Sequence, residues 1–314
     1  MAAERVVGHD RPLRVLRRSL GSGRVPHAYL FWGPDGIGKT RVAREVARAL
    51  LCGEAGALAR GEGCGACRSC RRLDSGNHPD LHVLVPRGAR VGVEEVRALQ
   101  ESLSFRPFEG GRRVAIIPDA FRLTREASNA LLKTLEEPPA GTHLVLTAHH
   151  RDQLLPTVVS RCQCVRFDPL PDGAVEQVLV SEGMEPEQAR ALARVCGGRP
   201  GRVLGREPGE FLEWVRQAED LVDRWDGLTA GERLRLGAEW ARVPDLRDRL
   251  ETLQWVVRRR IRRLDGAVPA WLDRQAGLAR VLEWMDRNVN TELALDALFL
   301  GLAGQDWEDR WLGS

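Results

Sequence analysis

Up to about residue 167 the chain carries two kinds of hydrophobic pattern, and afterwards it keeps only one. Short, nearly unbroken apolar runs occur at His27–Trp32, Leu81–Val85, Arg113–Ile117 and Leu144–Thr147. Their length and composition predict strands. Between them, Thr40–Leu51, Val93–Leu103 and Ala127–Leu135 place apolar residues three and four apart, on one helix face. Strands alternating with helices predict a parallel sheet covered by helices on both faces. Residues 173–194 predict one or two short helices, and from 211 onward only helical spacing remains. There Leu246, Leu250, Leu253, Val257, Ile261 and Leu264 fall on one helix face, and Arg247, Arg249, Arg258, Arg259 and Arg262 fall elsewhere on it. A solvated face is the plain reading of that arginine run; contact with an acidic partner or DNA is the alternative.

Composition sharpens the division. All seven Cys precede residue 197, and eight of the nine Trp follow residue 213. The switch coincides with a Gly- and Pro-rich stretch at 197–210, so a boundary is expected near 205–210, with a softer one at Asp168–Gly173. A length of 314 residues suits two or three domains. With 43% apolar and 29% charged residues, a disordered or fibrous chain is excluded. No apolar run approaches the length of a membrane span, and no apolar segment typical of a secretory leader follows Met1, so a cytoplasmic protein without membrane contact is expected. A net charge of +3 does not by itself argue for nucleic acid. Lys39 and Lys133 are the only lysines, so 45 of the 47 basic side chains are Arg. A lysine that persists in such a chain hints at a position needing a compact ammonium.

Lys39 lies in Gly33–Thr40, which fits the phosphate-loop pattern G-x-x-x-x-G-K-T with a strand before and a helix after. Glycines let backbone N–H groups of such a loop turn toward a polyphosphate, and the helix presents its positive end. Gly33, Pro34, Gly36 and Gly38 would form the cradle for ATP or ADP, Lys39 would reach the β and γ phosphates, and the Thr40 hydroxyl would bind Mg²⁺. Hydrolysis additionally needs a metal-shell carboxylate and a water-orienting group. The strand ending at Pro118 and Asp119 offers one carboxylate and no adjacent Asp-Glu pair, so weak or absent turnover is expected.

Cys64, Cys67 and Cys70 are separated by two residues each, and Cys52 can supply a fourth thiolate. Four thiolates suit a closed, tetrahedral, structural Zn²⁺ site. Cys162, Cys164 and Cys196 are expected as small buried apolar residues. Ser160-Arg161-Cys162 carries little on spacing alone.

Together these residues resemble the clamp-loader ATPases of the AAA+ superfamily, across about residues 6 to 204. The resemblance rests on Val6–His9, His27–Phe31, the phosphate loop, the four cysteines, Asn77–Leu81, Asn129–Pro139 and Ser160–Cys162. The last two segments are specific to bacterial DNA polymerase III clamp loaders and their relatives. The resemblance implies an α/β AAA+ nucleotide-binding domain over 1–167 with a zinc module at about 52–70. It further implies a three-helix lid over 168–207 and an all-α collar over 208–314 that joins subunits into an open ring. Arg161 would act in trans as an arginine finger on ATP held by a neighbour, and Thr147 would sense the γ-phosphate. The implied partners are the motor (gamma/tau) and delta subunits, the sliding clamp indirectly, and primed DNA without sequence preference.

Departures separate the family's motor from its rigid arm. The motor's metal-binding Asp and catalytic Glu positions fall on Pro118 and Asp119, and its nucleotide-sensing lid Arg falls at about Gly201, beside Arg202. Both favour the arm. The alternatives are an active motor subunit, a scaffold that uses ATP structurally, and an unrelated phosphate-loop enzyme such as a small-molecule kinase. The kinase would need an acceptor-site base and would not need Ser-Arg-Cys or the four cysteines.

Overall fold

A computed structural model describes residues 6–86, 88–109, 111–263, 269–286 and 289–301. The chain falls into two compact units. One runs to Ala193 and takes Gly198–Gly201; the other takes Arg194–Gly197 and the chain from Arg202 on. Trp307, Trp311 and Leu264 lie outside the described residues.

The first unit is built on strands β1 (Ala28–Trp32), β2 (Leu81–Val83), β3 (Arg113–Ile117), β4 (Thr142–Ala148) and β5 (Gln163–Arg166), in the order β2-β3-β4-β1-β5. All pairings are parallel, with Ala28 opposite Leu144 and Phe31 opposite Thr147 across β1 and β4. Its helices are α1 (Asp10–Gly21), α2 (Lys39–Leu51), α3 (Ala57–Arg60), α4 (Arg68–Asp74), α5 (Val93–Ser104), α6 (Arg125–Glu136), α7 (Pro156–Val159), α8 (Asp172–Ser181) and α9 (Pro186–Ala193).

The apolar runs are unbroken because both sheet faces are buried. Ala28, Leu30, Ala115, Ile117, Leu144 and Leu146 pack with Leu99 of α5 and Leu131 of α6. The alternate residues Tyr29, Phe31, Val114, Ile116 and Val145 pack with Leu16 of α1 and Val42 and Val46 of α2. The expected α/β organisation, with a parallel sheet covered on both faces, is observed. Strand β5 was not anticipated. It is a four-residue edge strand with exposed Gln163 and Arg166, so it lacks an apolar run. Cys196 is buried as expected, whereas Cys162 and Cys164, flanking and within this edge strand, are only half-buried against the core.

The second unit is all-helical, also as expected: α10 (Pro208–Arg224), α11 (Ala230–Trp240), α12 (Leu246–Arg263), α13 (Pro269–Asp286) and α14 (Thr291–Phe299). Leu250, Leu253 and Val257 of α12 pack with Trp225, Leu278, Val281, Leu295 and Phe299. Arg233 of α11 donates to the carbonyls of Trp225, Leu228 and Phe299, satisfying acceptors left over at helix ends.

The arginine run of α12 is not simply a solvated face. Arg259 pairs with Glu219 of α10 and lies 4.6 Å from the Trp255 ring centroid. Arg260 pairs with Asp223, and Arg249 covers Trp214 at 5.3 Å. Cation–π contacts of this kind contribute about 0.5–1 kcal/mol each at exposed sites. Trp214, Trp225, Trp255 and Trp271 are thus each covered by an arginine of the same chain.

Leu253 is fully buried at the centre of this helical core. Leu253→Ala is expected to destabilise the second unit by about 2–5 kcal/mol. Urea unfolding followed by Trp fluorescence would measure the loss.

Candidate functional site

The phosphate loop leaves the carboxyl end of β1, where open parallel sheets place their ligand crevices. Its backbone requires glycine. Gly33, Gly36 and Gly38 have φ of 149°, 74° and 96°. A Cβ on Gly33 would sit 2.1 Å from the Phe167 carbonyl oxygen. Gly38 caps α2 without a side-chain acceptor, which leaves the first-turn N–H groups of that helix to an anion.

The loop's carbonyls are all engaged. Lys39 Nζ donates to Gly33 O at 2.9 Å and Pro34 O at 2.7 Å. Arg199 Nε donates to Asp35 O at 2.6 Å, and the Gly201 amide to Gly36 O at 2.8 Å. His9 Nε2 donates to Ile37 O at 2.7 Å. Five consecutive carbonyl oxygens are therefore satisfied by the surrounding protein, and none is left to repel a phosphate. Lys39 is 4% exposed. Burial pushes its pKa down, and the carboxylates of Asp35 and Asp119 oppose that shift. Burial also pushes the His9 imidazole down, in keeping with a neutral donor to Ile37.

Beside the loop, the Asp119 amide donates to Thr147 Oγ1 at 3.0 Å, so the end of β3 is tied to the end of β4. Asp119 holds a left-handed backbone, φ 47° and ψ 51°, unusual for a residue other than glycine. His149 Nε2 lies 3.8 Å from Asp35 Oδ1 and 4.0 Å from Asp119 Oδ1. Burial raises the Asp35 carboxyl, but His149 and Lys39 outweigh it and hold the group below its usual range. The structure thus gathers Gly33, Pro34, Gly36, Gly38, Lys39, Thr40, Thr147 and Asp119 at one end of the sheet.

Arg161 is placed elsewhere. It follows α7, donates to Thr157 O at 2.9 Å and pairs with Glu136 Oε1 at 2.6 Å. It makes no hydrogen bond or ion pair with its own phosphate loop. Arg202, adjacent to the position expected for a sensing arginine, belongs to the second unit. There it is buried and donates to Asp248 O and Thr252 Oγ1. Arg199 is the arginine at the loop. Arg199 leaves no local pattern in the sequence, and His9 stands out there only as the end of the Val6–His9 motif, because their partners lie 164 and 28 residues away.

The four cysteines converge. Their sulfurs lie within 4.8 Å of one another, with Cys52–Cys67 at 3.9 Å and Cys64–Cys70 at 4.0 Å. Tetrahedral Zn²⁺ with Zn–S bonds near 2.3 Å would set sulfurs about 3.8 Å apart. Backbone N–H groups of Cys64, Cys67 and Cys70 point at Cys52, Cys64 and Cys67 sulfurs respectively, at 3.3–3.4 Å. Burial opposes the Cys67 thiolate, but the N–H groups of Cys70 and Gly53 and the neighbouring thiols bring it down to about 6. Cys70 is pushed up to about 12 by burial. No disulfide joins any cysteine. The donor set fits a metal.

A polar chain links this module to the sheet. Ser69 of α4 donates to Leu51 O and bonds His78 Nε2, and His78 Nδ1 accepts from the Asp80 amide. Asp80, fully buried, accepts from the amides of Phe108 and Glu109 and faces Arg113 at 3.6 Å. Arg113 in turn donates to Ser102 O, Phe105 O and Arg106 O. Asn77–Leu81 was recognised from sequence only as a motif; its work is to brace this loop, which leaves Phe108 82% exposed.

Comparison with known proteins gives a consistent picture. The family model for the DNA polymerase III delta subunit matches residues 8–171. A DNA polymerase III subunit delta' of Bacillus subtilis is 40% identical over 203 residues, 65% of this chain and 60% of that protein. The delta' subunit of Pseudomonas aeruginosa is 38% identical over 227 residues, 66% of this chain and 68% of that one. The tau subunit of Escherichia coli is 36% identical over 199 residues, 62% of this chain but 30% of tau. The matched region thus spans about three fifths of the Bacillus relative.

Removing Asp80 would strand the buried Arg113 guanidinium and two loop amides. Asp80→Ala is expected to cost about 3–5 kcal/mol. Urea denaturation monitored by circular dichroism measures it, and a loss below 1 kcal/mol, far short of ~3, would mean the brace is not stabilising.

Proposed function

This chain belongs to the DNA polymerase III delta subunit family, and from that premise we propose that it fills the delta-prime position of a bacterial clamp loader. In this reading it is the rigid arm of a ring that opens the sliding clamp onto primed DNA. Its partners are the motor (gamma/tau) and delta subunits, with the clamp engaged indirectly and DNA contacted without sequence preference in the cytoplasm.

The observation that carries the reading is a complete phosphate loop beside an incomplete hydrolytic site. Gly33, Pro34, Gly36 and Gly38 offer a cradle whose carbonyls are already engaged, and buried Lys39 stands ready for β and γ phosphates. Thr40 and Asp119 would hold Mg²⁺ with ATP or ADP. Pro118 occupies the metal-binding Asp position, so no Asp-Glu pair follows β3. The Thr147 hydroxyl accepts the Asp119 amide and keeps its own proton, with which it would sense the γ-phosphate. Arg199, tied to the loop through Asp35 O, would be the arginine beside the nucleotide in place of Arg202. Arg161, away from its own loop and partly exposed, would reach the neighbour's γ-phosphate; such fingers are worth roughly 10³–10⁵ in rate at the site they serve.

Cys52, Cys64, Cys67 and Cys70 would hold structural Zn²⁺, closing the loop between α2 and α4. Residues 1–167 serve as the nucleotide-binding domain, 168–207 as the lid and 208–314 as the collar. A second reading, an active motor subunit, is favoured by the similarity to tau and by the intact phosphate loop.

Two experiments test these assignments. The isolated chain is expected to bind ATP without steady-state turnover and to lose binding in Lys39→Ala. In the reconstituted loader, Arg161→Ala is expected to leave assembly intact while lowering ATPase and clamp-loading rates. Brisk turnover by the isolated chain that disappears in Lys39→Ala would favour the motor reading, and unchanged loading by Arg161→Ala would remove the finger. Elemental analysis is expected to find one zinc per chain, bound through the four cysteines of the cluster; a value near zero would remove the zinc assignment.

A further inference from the structure

The ion pair between Arg161 and Glu136 has a chemistry of its own. Arg161 Nη2 meets Glu136 Oε1 at 2.6 Å, while Nη1 donates to Thr157 O at 2.9 Å. One guanidinium is therefore held at both terminal nitrogens, by the end of α6 and by the backbone of α7. Glu136 sits in the last turn of α6 and Glu137 follows it. Carboxylates there oppose the negative end of the helix dipole, so the placement is unfavourable for α6 taken alone. Arg161 offsets it. Both side chains are partly exposed, at 34% and 49%, so the pair is worth little as a stability element.

We propose that Glu136 is a positioning residue for Arg161: it holds the guanidinium in the orientation from which it reaches a phosphate bound by the adjacent subunit. The proposal rests on the finger reading of Arg161. An unrestrained arginine samples many rotamers, and that freedom is lost when it engages a transition state. A side chain ordered beforehand by Glu136 and Thr157 loses less at that moment. With Ser160 Oγ also within 3.4 Å of Nη1, the fork retains N–H donors beyond the three in use, because a guanidinium carries five. Glu136 thus acts through geometry and touches no substrate.

The test uses the assembled loader, with the motor sites not facing Arg161 silenced at their own phosphate-loop lysines. Glu136→Ala is expected to lower kcat for ATP about threefold to tenfold with KM unchanged, the scale of restoring rotamer freedom to one long side chain. Glu136→Gln, which keeps an acceptor at the same reach, is expected to recover part of the loss. In an Arg161→Ala background, Glu136→Ala is expected to have no further effect. Size-exclusion chromatography checks that each assembly is intact.

If Arg161→Ala lowers kcat and Glu136→Ala does not, the positioning role is overturned and the finger stands. If Glu136→Ala raises kcat, the carboxylate restrains rather than positions Arg161, and the proposal is overturned. An additive loss in the Arg161→Ala background likewise overturns it. If Arg161→Ala leaves kcat unchanged, the finger reading fails and the proposal fails with it.

Discussion

The phosphate loop can face an anion only if its carbonyls face something else. A peptide unit carries a donor and an acceptor on opposite sides, so turning the N–H groups of Asp35–Gly38 toward a phosphate requires the oxygens of Gly33–Ile37 to be satisfied outside. Lys39, Arg199, the Gly201 amide and His9 meet that requirement. They come from the first helical turn of α2, from the 198–201 segment and from the residue before α1. The loop is therefore held by the helix that follows it and by two remote parts of the chain, and its shape depends on all three. Gly201 shows how closely these parts approach: a Cβ there would lie 2.7 Å from Gly36 Cα. Two glycines allow the backbones to meet.

The same logic of matched donors and acceptors organises the region around the cysteines. Ser69, inside the cysteine-rich segment, bonds His78, which accepts from Asp80, whose carboxylate holds the Phe108 and Glu109 amides. This chain joins the cysteine module to the start of β2 and to the loop before β3. In the second unit arginine works differently. Its apolar stem and planar head cover tryptophan faces, while the charge meets acids on the neighbouring helix. Arg274, over Trp225 and Trp271 and paired with Asp226, does both.

What could be read from sequence was what is local. The loop pattern around Lys39, the C-x-x-C steps and the apolar runs of β1, β3 and β4 concern neighbours in the chain, and the structure places each as expected. What escaped depends on distance or on an edge. β5 has buried Val165 but exposed Gln163 and Arg166, because nothing pairs with its outer side among the described residues. Arg199, and the role of His9 within the Val6–His9 motif, depend on partners set by folding alone. Arg202 had been the arginine next to the expected sensing position, yet Thr252 and the Asp248 carbonyl claim it.

The groups that would bind a nucleotide and those that would turn it over are separate in this chain. Binding needs inward N–H groups, a buried ammonium and a helix N-terminus, and all three belong to the segment from Gly33 to Thr40. Turnover needs carboxylates at the end of β3, where the chain supplies Pro118 and one Asp. Pro118 has no side-chain oxygen to offer a metal shell. Asp119 donates its amide to Thr147, and its carboxylate, near His149 and Lys39, is what the end of β3 offers a metal. Loss at one place therefore leaves the other intact. A chain can keep a rigid nucleotide cradle as a structural element while the arginine beyond α7 serves chemistry performed elsewhere, which is the division of labour proposed for this subunit.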